Sequence, residues 1–245
     1  MDGGEVYIER MTWPEVEAAI RDGKRTAVVV AASSEQHGPH LPESTDALLG
    51  EELGGRLARR LGDALVAPVI RPGCSEHHMS FAGSLSIPAQ VLMEILDAYV
   101  ASLRRHGFAR IVVTSSHGGN FPVLTDWKHG QRDDVIVIDD FEGFAEALFA
   151  ALKRSGRDDR GGPHADLGET SAVLAVRPDL VRKDQIAAGR TDPAPLPEVL
   201  EKGLRVLTAN GILGDPRGAT PEIGNAVLES LTDFLERKVH DLAPS

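Results

Sequence analysis

A chain of 245 residues, 42% hydrophobic and 26% charged, is long enough for one sizeable α/β core and has the make-up of a soluble globular protein. A formal net charge of −11 argues against binding a nucleic-acid backbone, and no run approaches the ~20 apolar residues of a membrane span, so neither is an expected partner. The single cysteine, Cys74, excludes an internal disulfide framework; with no basic-then-apolar leader pattern at the N-terminus, it points to the cytoplasm.

The first expected strand is 25–32, RTAVVVAA, rich in β-branched residues. A polar loop with proline and glycine follows over 33–46. Residues 47–61 then carry Leu48, Leu49, Leu53, Leu57 and Leu61 at helical spacing. A second strand is expected over 64–70, a loop over 74–84, and a helix over about 88–106 with proline at a tolerated first-turn position. The third strand, 110–114, runs into Ser-Ser-His-Gly-Gly-Asn, and a helix starts near Phe121. The fourth strand is 134–138, followed by a helix over 142–154. The polar stretch 155–168 reads as a mobile loop ending at a helix start, with Glu169 in that helix's first turn. Residues 173–176 fit either a continuation of that helix or a short strand. A proline-rich linker (191–197), the loop GILGDPRGAT and a last helix over 221–240 complete the chain. Strands alternating with helices predict a mostly parallel sheet covered on both faces, one domain over 1–245, with its ligand site at the carboxyl ends of the strands.

Four loops carry the chemistry. In extended backbone Glu35 and His37 project to one face, and carboxylate oxygen with imidazole nitrogen suits Zn²⁺, Mn²⁺ or Fe²⁺. Asp46 is either an N-cap for the helix that starts there or a further ligand. His117, ahead of Gly118 and Gly119, is a rigidly held site residue or a strand-end histidine bonded to backbone. Asn120 binds a neighbouring loop or a substrate. Glu169 is a site carboxylate or simply favourable with a helix dipole. His164 is a site residue or an exposed one. His77 reads as a surface residue, His78 as lining the substrate side, and Cys74 as a small packed side chain. No nucleophile elbow and no phosphate-binding glycine loop is present.

Taken together, SSEQHGPHLPESTD, GCSEHHMSFAGSLSI, SSHGGN, HADLGETS and GILGDPRGAT, in this order from about residue 28 to 225, resemble the creatininase (creatinine amidohydrolase) family. The resemblance implies a three-layer α/β/α fold, a homo-oligomer (commonly a hexamer) and two divalent metal ions per subunit that help open amide bonds, often cyclic ones, of small molecules. Carried onto this chain, Glu35 and His117 match ligands of one ion, His37 and Glu169 those of the other, Asp46 the bridge, and His164 the catalytic histidine. Three departures stand out. Asp166 replaces a glycine of the family's HAGxxETS. Gly119 stands where true creatininases carry a glutamate, which puts creatinine itself in doubt. Phe81-Ala82-Gly83-Ser84 replaces Phe-Pro-Gly-Thr, as in members that trim a peptide during redox-cofactor maturation. A small-molecule amidohydrolase is therefore the expected activity, with a peptide-processing metallopeptidase as the second reading and a non-catalytic, metal-stabilised assembly subunit as the third.

Overall fold

The computed structural model describes residues 4–157 and 162–243; residues 158–161 of the expected mobile loop lie outside the described residues. In chain order the elements are α1 (Trp13–Arg21), β1 (Thr26–Ala31), α2 (Thr45–Leu61), β2 (Ala64–Val66), α3 (Ala89–Arg105), β3 (Arg110–Ser115), α4 (Phe121–Trp127), β4 (Val135–Val137), α5 (Phe141–Arg154), α6 (Leu167–Val176), α7 (Leu196–Lys202), α8 (Leu204–Leu207) and α9 (Pro221–Leu242).

The strands form one parallel sheet in the order β2-β1-β3-β4. β1 is buried at every position because both of its faces are covered. Ala27, Val29 and Ala31 pack on one side with Leu92, Leu96 and Val100 of α3 and Leu124 and Trp127 of α4. Val28 and Val30 face the other layer, where Leu53 and Leu57 of α2, Leu148 and Leu152 of α5 and Leu228 and Leu231 of α9 meet. Fully buried leucines such as Leu57, Leu92 and Leu96 each stabilise the fold by about 2 kcal/mol. The result is the expected three-layer α/β/α arrangement around a parallel sheet.

Several boundaries differ from those expected. The second strand ends at Val66, and only Ile70 returns to pair with Ala31; Pro68, which has no N–H to donate, lies between. Residues 173–176 are helical. α6 is buried nearly all round, so it shows no 3.6-residue alternation that would separate it from a strand. α7 occupies part of the expected linker, with Pro197 in its first turn, where a missing N–H costs nothing. α1 begins at a Thr12/Glu15 capping box. Among the described residues no helix is long and apolar enough to cross a membrane.

The loops leaving the carboxyl ends of β1, β2 and β3 are tied to one another. Asn120 does this with its whole side chain: its Nδ2 donates to the carbonyls of Ala31 (3.3 Å) and Ala32 (3.0 Å), and its Oδ1 accepts from Cys74 N (2.9 Å). Of the two roles open to it, Asn120 therefore fills the structural one, and its amide is not turned towards a substrate. Ser116 Oγ donates to the Asp46 carbonyl (2.8 Å), which fixes the start of α2 against the loop after β3.

Candidate metal centre

These tied loops, with the first turn of α6, bring Glu35, His37, Asp46, His117 and Glu169 together at the carboxyl edge of the sheet. His37 Nε2 lies 3.1 Å from Asp46 Oδ1 and 3.7 Å from Glu169 Oε2. His117 Nδ1 lies 3.1 Å from Glu35 Oε1 and 3.2 Å from Asp46 Oδ2. Asp46 thus stands between the two histidines. It is not the N-cap of α2: the helix starts at Thr45 after Ser44, and the Asp46 side chain is buried towards the imidazoles.

The second nitrogen of each histidine is committed to backbone. His37 Nδ1–H donates to the Glu35 carbonyl (3.1 Å) and His117 Nε2–H donates to the Cys74 carbonyl (3.2 Å), since a carbonyl can only accept. Each ring therefore turns its other nitrogen to the carboxylates, the arrangement that presents imidazole to a cation. His37 Nε2 and Asp46 Oδ2 are buried and make no hydrogen bond, although their neighbours are within contact distance. His37 Nε2 faces Asp46 Oδ1 and Glu169 Oε2, and Asp46 Oδ2 faces His117 Nδ1; a cation in each of these places would satisfy both orphaned atoms. Among the described residues, the trios Glu35/Asp46/His117 and His37/Asp46/Glu169 each hold ligand atoms within 4.8 Å of one another, and they share Asp46. The donor set fits divalent metal ions of the Zn²⁺, Mn²⁺ and Fe²⁺ kind.

The electrostatics agree. Burial lowers the two imidazoles, but the facing carboxylates outweigh it; His37 is raised to about 10 and His117 well above its ordinary value. Burial, with the charges of Asp46 and Glu35 adding to it, raises Glu169 to about 7. Before a cation arrives, protons hold the carboxylates and imidazoles together. A cation must displace them, so below the imidazole pKa values its uptake weakens by roughly tenfold per pH unit for each proton displaced. With both imidazoles protonated at pH 7 and Glu169 raised to about 7, filling both sites with Zn²⁺ is expected to release at least about two protons, and each site's apparent affinity to rise at least about tenfold from pH 6 to 7. Calorimetry in buffers of different ionisation enthalpy measures this; a pH-independent affinity would contradict it.

His164 borders the centre, its ring centroid 4.4 Å from that of His37 and 4.7 Å from that of His78. Burial and the charge of His37 push it well below the usual histidine pKa, so it is neutral at pH 7. His78 Nε2 reaches Glu35 Oε1 at 3.2 Å. His77 corrects the surface reading: it is buried, stacked on His117 at 5.6 Å, and lowered to about 4 by burial and by the His117 charge. Asp166 is the N-cap of α6, accepting from Glu169 N (2.9 Å), so the replacement of glycine there anchors the turn that carries Glu169. Cys74 is half-buried against the core, and burial raises its thiol. Gln36, which sequence reasoning passed over, is buried between the Glu35 and His37 backbones and touches His78 and His164; a lone amide has no pattern that would mark it. A cavity of about 240 Å³ opens beside the centre, with Glu35, His77, His78, His117 and His164 on one side and Phe141, Phe149, Leu196, Leu204 and Leu213 among its apolar walls.

Comparison with known proteins decides the ancestry. The pattern of the creatininase family, described as creatinine amidohydrolase, matches residues 9–239. The chain belongs to the creatininase family. A mycofactocin precursor peptide peptidase of Mycobacterium ulcerans is 32% identical over 232 residues, 91% of this chain and 83% of that protein. A creatinine amidohydrolase of Pseudomonas putida is 27% identical over 240 residues, 91% of this chain and 92% of that protein. A solved creatininase variant of Zn–Zn type is 26% identical, with a TM-score of 0.73 over 99% of this chain and 100% of that one. As a creatininase-family member the chain is an amidohydrolase, a hydrolase acting on amide C–N bonds.

Proposed function

We propose that this creatininase-family protein binds two divalent cations and hydrolyses an amide bond of a peptide or peptide-derived substrate with an apolar side chain beside the scissile bond. Glu35 and His117 would hold one cation, His37 and Glu169 the other, and Asp46 would bridge them. The observation that carries the substrate reading is the cavity: against the charged centre stands a wall of Phe141, Phe149, Leu196, Leu204 and Leu213, which suits an apolar group and offers a small polar ring few partners. The 32% identity to a peptide peptidase supports it. A small cyclic amide is the second reading, supported by the 27% identity to a creatinine amidohydrolase.

Bound cations of this type lower the pKa of water and polarise an amide carbonyl. The protein's own groups do the rest. Glu35, Asp46 and Glu169 supply the negative charge that keeps two cations at close quarters. The apolar wall excludes bulk water and holds the substrate's side chain. His164, neutral at pH 7, takes a proton from the attacking water and passes it to the leaving nitrogen.

The protein should be stripped with a chelator, reloaded with Zn²⁺ or Mn²⁺, and offered a library of apolar peptides alongside creatinine, with products read by mass spectrometry. Metal-dependent peptide cleavage, with kcat/KM at least about tenfold above that for creatinine, is expected, since a poorly matched pocket forfeits 1–3 kcal/mol. Faster turnover of creatinine would favour the second reading. Chelation that lowers the melting temperature of a protein cleaving neither would reassign it as a metal-stabilised assembly subunit.

A further inference from the structure

We infer that Gln36 is a positioning residue that fixes the proton of two active-site histidines, holding His164 bare at Nε2 and His78 bare at Nδ1. The orientation of the Gln36 amide is set by a backbone group whose polarity is not in question. Its Oε1 accepts from Gly38 N at 2.9 Å, which fixes which end is the NH₂; the Gly211 carbonyl, at 3.3 Å, is the farthest of three neighbours of its two N–H groups and the one they leave to a shared contact. The NH₂ end therefore points at His164 Nε2 (2.9 Å) and His78 Nδ1 (3.1 Å). An N–H on either of those ring nitrogens would meet another N–H, so both must accept. A neutral imidazole carries one proton, which then sits on Nδ1 of His164 and on Nε2 of His78.

The consequence for His78 is visible: its Nε2–H faces Glu35 Oε1 at 3.2 Å. Gln36 thus orients, through His78, a carboxylate of the centre, as outer groups around metal ligands do. For His164 it means that a proton can be taken up only at Nε2, the one bare nitrogen, where it displaces the amide, while Nδ1 keeps its N–H as the donor. The loop that carries Gly211 is built around this amide. A Cβ on Gly211, whose φ is +78°, would lie 2.0 Å from Gln36 Oε1. That accounts for one glycine of GILGDPRGAT.

The test is a long-range ¹H–¹⁵N spectrum of the full-length protein labelled at histidine, recorded metal-free and zinc-loaded, with peaks assigned by His164→Gln and His78→Gln. The wild-type spectrum should show His164 protonated at Nδ1 alone and His78 at Nε2 alone. Gln36→Glu replaces the donor by an acceptor, so the His164 proton should move to Nε2. The catalytic arm rests on the amide-hydrolase reading: kcat should fall on the order of 10²-fold, the range of a misplaced general acid–base, with KM and zinc content little changed. His164 protonated at Nε2 in the wild-type protein overturns the inference, whether or not Gln36→Glu folds; so does a Gln36→Glu enzyme with unaltered kcat. Because the spectrum needs no turnover, correct tautomers in a protein without hydrolytic activity would refute the hydrolase reading and leave this one standing.

Discussion

Asp46→Ala is expected to empty the centre of metal and to lower kcat/KM by at least about a thousandfold, because each cation's charge stabilisation is worth several kcal/mol and 1.4 kcal/mol is a factor of ten. The size follows from the position of one carboxylate. Asp46 Oδ1 lies 3.1 Å from His37 Nε2 and Oδ2 lies 3.2 Å from His117 Nδ1, so its loss would take a proposed ligand from both halves of the centre at once. Removing Glu35 or Glu169 would leave one half complete. The metal-free variant should also be less stable. His37 and His117 are buried and carry raised pKa values, and removing one partner of a buried pair costs up to about 3–5 kcal/mol. The sign with pH follows: imidazoles raised in the folded state stabilise it below their unfolded pKa and lose that contribution as pH rises towards about 10, so the gap between metal-free wild type and variant should be widest near pH 6 and shrink in alkali. Metal analysis, hydrolysis rates and melting curves at two pH values measure all three effects. A variant that keeps both cations and loses less than tenfold in rate would remove Asp46 from the bridge.

Much of this architecture could be read from the residues because the sheet is buried on both sides. Runs such as RTAVVVAA have no other place to go than a covered parallel strand, and the leucines of α2 at positions 49, 53 and 57 mark the face that covers it. The loops after the strands followed from the same logic, since the carboxyl ends of a parallel sheet are where ligand-bearing segments emerge. What escaped notice was decided by contacts between distant segments. His77 looked like a solvated neighbour of Glu76, yet the tie from Asn120 to Cys74 N pulls its segment inward until the ring stacks on His117. Asn120 itself was ambiguous because an amide that anchors three loops and one that holds a substrate have the same sequence. α6 showed no helical periodicity because neighbours surround it. Asp166, a departure from the family pattern to which the residues alone gave no role, is a cap, and a cap of that kind is recognisable from its spacing to Glu169, three residues on.

Gly119→Glu, which introduces the glutamate that the family resemblance places here in true creatininases, is expected to destroy activity rather than convert it. The backbone at Gly119 is not in a glycine-only conformation, so the obstacle is space. A Cβ there would lie 2.3 Å from the Cys74 carbonyl oxygen, 2.5 Å from His117 Nε2 and 2.8 Å from His77 Cε1. The first neighbour is backbone, held by the bond from Cys74 N to Asn120, and it cannot swing aside as a side chain can. The second belongs to a residue proposed to hold a cation, and its bond to Cys74 is what turns Nδ1 towards Glu35 and Asp46. Inserting any side chain therefore overpacks the segment by about 1–3 kcal/mol or more and tilts the His117 ring away from the centre. Loss of that alignment, like loss of an outer-shell partner, should cost at least 10–100-fold in metal affinity or turnover, and no creatinine hydrolysis should appear. Gly119→Ala separates the two explanations. It adds the Cβ without the carboxylate, so steric exclusion predicts that alanine already causes most of the damage. A glutamate variant that gains creatinine turnover at wild-type stability would show instead that the loop yields, and that a glycine here is a choice of ligand set rather than of packing.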